Sequence, residues 1–370
     1  MTNYNPKSIP AQDRMPGRAL LNRTECSALR GIAILGIFLH NYLHWLKPMV
    51  KENEYQFHQA NVDGMMERIM SPSWDILLQL FSFFGHYGVP VFLFLSGYGL
   101  VLKYENAGPT ASGGDTVRDV WQFIRQHFMK LFPMMALGFT VFAMVDWITP
   151  MRHHWSWSDI IGQLTMTINL FPKPDSVIWP GPYWFFGLMI QLYLLYCVVL
   201  YRRGNKVLLT LIMLCWAVQA MCFDAPEGEV LNRIRYNFIG GMLPFGMGIL
   251  LARMPSLPRP TASASLSVLI LSLFAVLTLS LGFHAWLWVP AFVVSLHVAL
   301  VKILPSFCIK AFDWLGVLSA AIFVCHPITR KIFIPISRSG DIMDGLVLYV
   351  VTTLVLAMLF RMAIQKMRNQ

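Results

Sequence analysis

Long apolar runs alternate with short polar connections along most of this chain, and the runs have the length that crosses a bilayer. A spanning helix needs about 20 apolar residues. By that measure spans are predicted at roughly 28–45, 85–102, 128–148, 183–201, 207–223, 237–252, 266–282, 286–304, 314–334 and 345–363. The run 74–84 is apolar but short and is read as leading into the second span. The run 157–171 is also short and carries Gln163 and Asn169, so it reads as an interfacial or re-entrant helix; a true crossing there would make eleven. No internal repeat is visible. The expected fold is all-α, a polytopic membrane helix bundle of about ten transmembrane helices, with residues 1–27 as an N-terminal segment, 28–363 as the membrane domain and 364–370 as a tail.

Composition supports this picture. Of the 370 residues 56% are hydrophobic and only 13% are charged, against about 25% charged in soluble domains. The basic residues fall in alternate connections. Lys103, Arg118, Arg125, Lys130, Arg202 and Arg253 share one side with the basic leader, while Glu52, Glu54, Asp75 and Asp224 lie on the other. By the positive-inside rule both termini are expected in the cytoplasm. The net charge of +10 then follows from topology and calls for no nucleic-acid partner. The leader is too long and too charged for a removable signal peptide. The six cysteines show no metal-ligand spacing and read as small buried hydrophobes.

Against that apolar background the first span, ALRGIAILGIFLHNYLHW (28–45), is unusual in carrying Arg30, His40, Asn41 and His44. Ionisable groups at membrane depth are costly and mark pathways or sites. Arg30 and His40 are separated by about 15 Å along a straight helix, and His40 and His44 share one face. A second such group, His326-Pro327 with Arg330 and Lys331, lies in the ninth span.

Several segments, in order, resemble acyltransferase family 3, the integral membrane O-acyltransferases that act on envelope carbohydrates. They are LRGIAILGIFLH (29–40), FFGHYGVPVFLFLSGYGL (83–100), FIRQHFMKLFP (123–133), GPYWFFGLMIQLYLLY (181–196), LPFGMGILLAR (243–253) and LGVLSAAIFVCHPI (315–328). The resemblance implies transfer of an acyl group, typically acetyl, from a cytoplasmic acyl-CoA donor to a carbohydrate or glycolipid hydroxyl, with no tightly bound cofactor. It also implies a functional base and a functional His on the first helix. The usual pattern has ten residues between them; here there are nine, Gly31 to Leu39, with Asn41 at the usual position. The middle helix lacks the Glu that some branches carry; Gln191 lies nearby instead.

Acyl transfer to a hydroxyl needs a base for its proton and donors for the oxyanion. Imidazole suits the first task. His40 is the candidate base, and His44 the other contender given the shortened spacing. Arg30 is the candidate for the donor's phosphates, with Arg125 and Lys130 extending the basic patch. His86, Tyr183, Trp184, His326 and Arg330 are candidates for holding the acceptor, together with His44. Ser96 lacks the paired base and acid of a nucleophile. The His40–His44 pair has the spacing of metal ligands, but no third ligand is marked, so no metal is expected. The expected protein is a multi-pass inner-membrane acyltransferase. The alternative is a transporter or flippase for a glycolipid or small solute, which would use the same intramembrane His and Arg for passage.

Overall fold

A computed structural model describes residues 20–105, 119–254 and 260–369. The first 19 residues of the leader, and the connections that hold Arg118 and Arg259, lie outside the described residues. Ten apolar helices build the bundle: α1 (Arg23–Leu43), α2 (Ile76–Tyr104), α3 (Val120–Ile148), α4 (Gly181–Leu200), α5 (Asn205–Ala220), α6 (Phe238–Arg253), α7 (Ala262–Leu279), α8 (Val289–Ile303), α9 (Ser306–Arg338) and α10 (Ile342–Asn369). Eight of the spans are long and apolar enough to cross a membrane, the sixth counted from Glu229 through α6; α5 and α8 are apolar but shorter. There is no strand among the described residues.

The short runs behave as their lengths require. The segment 74–84 forms the first part of α2, Ile76–Phe84, and a single 3-10 turn, Gly85–Tyr87, joins it to Gly88–Tyr104. The segment 157–171 folds as Trp157–Leu164 and a turn at Ile168–Leu170. Eight helical residues rise only about 12 Å, so this segment is not an eleventh span.

At the centre stands α1. Its start is set by a capping box: the Asn22 side chain accepts from the Glu25 amide, and the Glu25 carboxylate accepts from the Asn22 amide, both at 2.8 Å. It packs on α9 and α2. In lipid, helices associate by close packing at small residues, and α1 shows this at Gly31. A Cβ there would lie 1.9 Å from the Phe312 carbonyl oxygen, and one on Gly316 of α9 would lie 1.8 Å from that of Ser27. Two apolar cores flank this helix. One is built mainly from α2, α4, α6 and α8, the other from α1, α3, α9 and α10.

Ion pairs tie the helix ends. At the end carrying the basic residues, Arg253 binds Glu105 bidentately (Nη2–Oε1 2.7 Å, Nε–Oε2 2.8 Å) and also donates to the Leu200 carbonyl at 2.7 Å. Lys302 pairs with Glu25 at 2.8 Å. At the opposite end, where the loops 44–75 and 149–180 lie, Lys331 pairs with Asp146 at 2.9 Å. Only about a tenth of each Arg253 and Glu105 side chain is exposed, so removing one partner strands a desolvated charge, which costs about 3–5 kcal/mol. Arg253→Leu is therefore expected to lower the thermal midpoint in detergent markedly, and Arg253→Leu with Glu105→Leu to recover most of the loss. Equal losses in the single and double variants would contradict this.

Candidate active site between two cavities

The last turns of α1 bring His40 and His44 to the loop end of the bundle with ring centroids 4.5 Å apart. The chain then folds back over them. The Val50 amide donates to the Gln79 side chain at 2.9 Å, Ser82 Oγ donates to the Val50 carbonyl at 2.7 Å, and Asn61 donates to the Glu52 carbonyl at 2.8 Å. These bonds set Glu52 against the two imidazoles: His44 Nδ1 is 3.0 Å and His40 Nε2 is 4.0 Å from the same Glu52 oxygen. His40 Nδ1 lies 2.7 Å from the Ser82 carbonyl. A carbonyl only accepts, so the His40 proton sits on Nδ1. Burial works against the Glu52 charge, but His44 and His40 outweigh it and hold the carboxyl well below the usual carboxylate range. An ionised Glu52 requires the His44 proton on Nδ1. When the imidazoles are neutral, Nε2 is the bare nitrogen of each ring, and both Nε2 atoms are buried without a hydrogen-bond partner.

His40 Nε2, His44 Nδ1 and a Glu52 oxygen also form a donor set of the kind that holds a divalent metal, all within 4.8 Å. The sequence marks no third ligand; the folded loop supplies Glu52. Zinc ligands at about 2.1 Å from the ion stand about 3.4 Å apart in a tetrahedral site. The 4.0 Å between His40 and Glu52 is wider than that spacing, and Glu52 is already hydrogen-bonded to His44.

A cavity of about 210 Å³ opens beside this cluster. Asn41, His44 and Arg330 line its floor, Trp45, Trp179, Trp184, Tyr55 and Tyr236 its aromatic walls, and Glu54 and Asp175 contribute carboxyls. The walls are braced: Tyr55 and Tyr236 stack with centroids 3.9 Å apart, and Tyr236 donates to Asp175 at 2.7 Å. A second cavity of about 610 Å³ runs from Arg30, Lys130 and Arg361 at the basic end to Ile37, Val89, Phe185 and Phe323. A side chamber of about 240 Å³ adds Lys103 and His127 to Arg30 and Lys130. The loop-side and basic-side cavities share Ile37, Val89, Phe185 and Phe323, which form one wall between them.

The residues singled out by sequence divide accordingly. Arg30 and Lys130 line the basic-side cavity; Arg125 is exposed and lines neither cavity. His44, Trp184 and Arg330 line the loop-side cavity. Arg330 donates to the Asn41 carbonyl at 3.1 Å and lies 5.3 Å from the Trp45 ring centroid. His40 sits just behind His44, and His86 behind His40, with ring centroids 5.4 Å apart. Tyr183 does not stand beside Trp184 in the cavity. Its ring is fully buried and its hydroxyl donates to the Val324 carbonyl at 3.1 Å. His326 is also fully buried, with Nδ1 donating to its own helix at the Ile322 carbonyl, and it lines neither cavity. Sequence reading passes over Glu52, Glu54, Asp175, Tyr236 and Arg361. The only signal for the first three is that they sit in long polar loops rich in aromatic residues.

Glu54 gives the site a pH signature. Burial, and then the neighbouring Glu52 charge, push its carboxyl up to about 8, well above the usual carboxylate range. A carboxyl raised in the folded state stabilises the fold fully below its unfolded value, and the contribution is lost as pH rises through the folded one. The thermal midpoint is therefore expected to decline between about pH 5 and pH 8 from this group, and Glu54→Gln to flatten that decline. An unchanged slope in Glu54→Gln would show that Glu54 ionises normally.

No curated protein and no solved structure matches the chain. The model of the acyltransferase-domain family, acyltransferase family 3, matches residues 25–362, and the chain belongs to that family.

Proposed function

We propose that this membrane acyltransferase moves an acyl group, acetyl in the simplest case, from an acyl-CoA donor at the basic end to a hydroxyl of an envelope carbohydrate at the loop end. The basic end faces the cytoplasm and the protein resides in the inner membrane. The observation that carries this reading is the pair of cavities entering from opposite ends and meeting at one thin wall beside the His–Glu cluster. Arg30, Lys130 and Arg361 suit a phosphate-bearing donor, and an aromatic cavity with hydrogen-bonding carboxyls suits a sugar ring.

In this reading the base is His44 rather than His40, because His44 reaches the cavity and its Nδ1–H is oriented by Glu52. That is the arrangement by which a carboxylate fixes the tautomer of a catalytic imidazole. The acceptor hydroxyl oxygen attacks the thioester carbonyl carbon, and its proton passes to His44 Nε2. Negative charge gathers on the former carbonyl oxygen near Arg330, which has five N–H donors and spends only part of them on Asn41. The carbon–sulfur bond breaks, the thiolate leaves toward the basic-side cavity, and the proton on His44 returns to it. His40, with its Nδ1 proton held by the Ser82 carbonyl, packs its ring against His44 and holds it in place.

Envelope glycans from cells with the intact gene, a deletion, and His44→Ala at equal protein level test this by mass spectrometry before and after mild alkali. An alkali-labile acyl increment that needs both the gene and His44 is expected. A glycan pool unchanged by deletion would overturn the reading and favour transport.

A further inference from the structure

The wall between the two cavities has a consequence for which acyl groups can react. It consists of one side chain from each of four helices: Ile37 (α1), Val89 (α2), Phe185 (α4) and Phe323 (α9). The two rings do most of the closing. Their centroids are 5.3 Å apart, and each is backed by another aromatic residue, Phe92 at 6.3 Å from Phe185 and Phe186 at 5.7 Å from Phe323. The backing rings restrict movement on one side, so either ring can move only toward the cavities that it borders.

If the donor enters from the basic side and the acceptor from the loop side, their reacting atoms meet in the plane of this wall. At 5.3 Å between centroids the Phe185 and Phe323 rings admit nothing between them, so the thioester carbonyl must lie against their edges, and the rest of the acyl chain must find room among the same four side chains. We propose that Phe185 and Phe323, with Ile37 and Val89, form a septum that selects the shortest acyl groups by size and keeps loop-side water from the donor thioester. This rests on the acyl-transfer reading above and adds to it the residues that set the donor class.

One methylene too many in an apolar pocket changes kcat/KM by about 10–200-fold. The wild-type protein is expected to lose at least about tenfold in kcat/KM for each methylene added beyond acetyl. Phe323→Ala is expected to raise the butyryl-to-acetyl ratio by at least about tenfold and to increase donor hydrolysis in the absence of acceptor; Phe323→Leu is expected to do so by less. An unchanged ratio in variants that remain folded would overturn the proposal.

A second measurement is independent of activity. Ser96 lines the basic-side cavity below the septum. In sealed vesicles, a membrane-impermeant thiol reagent applied from the side of the loop 149–180 is expected to spare Ser96→Cys, and to label it once Phe323→Ala or Phe323→Leu is added, over the background of the parent cysteines. Labelling with the septum intact, or protection with it opened, would overturn the proposal. If the wild-type protein transfers no acyl group from any thioester, the acyltransferase reading fails on that result, while the labelling still decides whether the septum exists.

Discussion

His44→Ala is expected to lower kcat for acyl transfer by about 10²–10⁴-fold, the range that a positioned general base contributes, with little change in KM for either substrate. The argument is geometric. His44 is the imidazole that both lines the loop-side cavity and has its Nδ1 proton fixed by Glu52 at 3.0 Å, leaving Nε2 bare. Glu52→Gln keeps the size of the side chain but removes the charge that holds this tautomer, so it is expected to lower kcat by a smaller factor within the same range. His40→Ala removes the ring packed against His44 and is expected to lower kcat by less than His44→Ala does. Steady-state kinetics with purified variants decide the order. A His44→Ala protein with near wild-type kcat beside an inactive His40→Ala protein would move the base to His40, whose Nε2 is also bare.

Gly31→Val is expected to be the most damaging substitution in the first helix away from its His pair. A Cβ at Gly31 would fall 1.9 Å from the Phe312 carbonyl oxygen, and neither partner is a side chain that can turn away. Overpacking commonly costs about 1–3 kcal/mol and sometimes more; a backbone-to-backbone clash belongs at or above the upper end. Because the same helix carries His40 and His44, prising α1 from α9 displaces them from Glu52 and Arg330 as well. The variant is expected to show a large drop in thermal midpoint and in folded yield, with residual activity below what its folded fraction explains. Gly316→Val, with its Cβ 1.8 Å from the Ser27 carbonyl oxygen, is expected to match it. Gly99→Ala is the control: nothing lies within 4 Å of the added Cβ, and near wild-type behaviour is expected. A stable, active Gly31→Val protein would show that α1 and α9 are farther apart than described.

The architecture was open to reading because hydrocarbon length is a hard constraint. All ten apolar runs became helices, α3 and α9 each starting eight residues before the expected bound because polar helical turns precede the apolar run, and the short run at 157–171 was settled by its length alone. The shared face of His40 and His44 follows from helical spacing and appears as their 4.5 Å ring contact. What spacing could not show is where a loop folds. Glu52 follows His44 by eight residues, but only the hydrogen bonds to Gln79, Ser82 and Asn61 carry it back under the imidazoles. The pair Tyr183–Trp184 shows a different limit. Neighbours at the start of one helix point about 100° apart, so one enters the cavity and the other the core. His326 looks like a functional intramembrane group in sequence, yet donates to its own helix, while Arg330 one turn on reaches the cavity floor.

In the proposed function, donor and acceptor meet through the protein from opposite sides of the membrane. The direct test places the purified protein in sealed vesicles, with acyl-labelled thioester only on the side of the basic end and an envelope-type glycan only on the side of the loops. Label is expected to appear as an alkali-labile ester on the glycan, dependent on His44, with no free acyl donor crossing. Ester that forms only when donor and glycan share one side, or a labelled donor found intact on the glycan side, would contradict it.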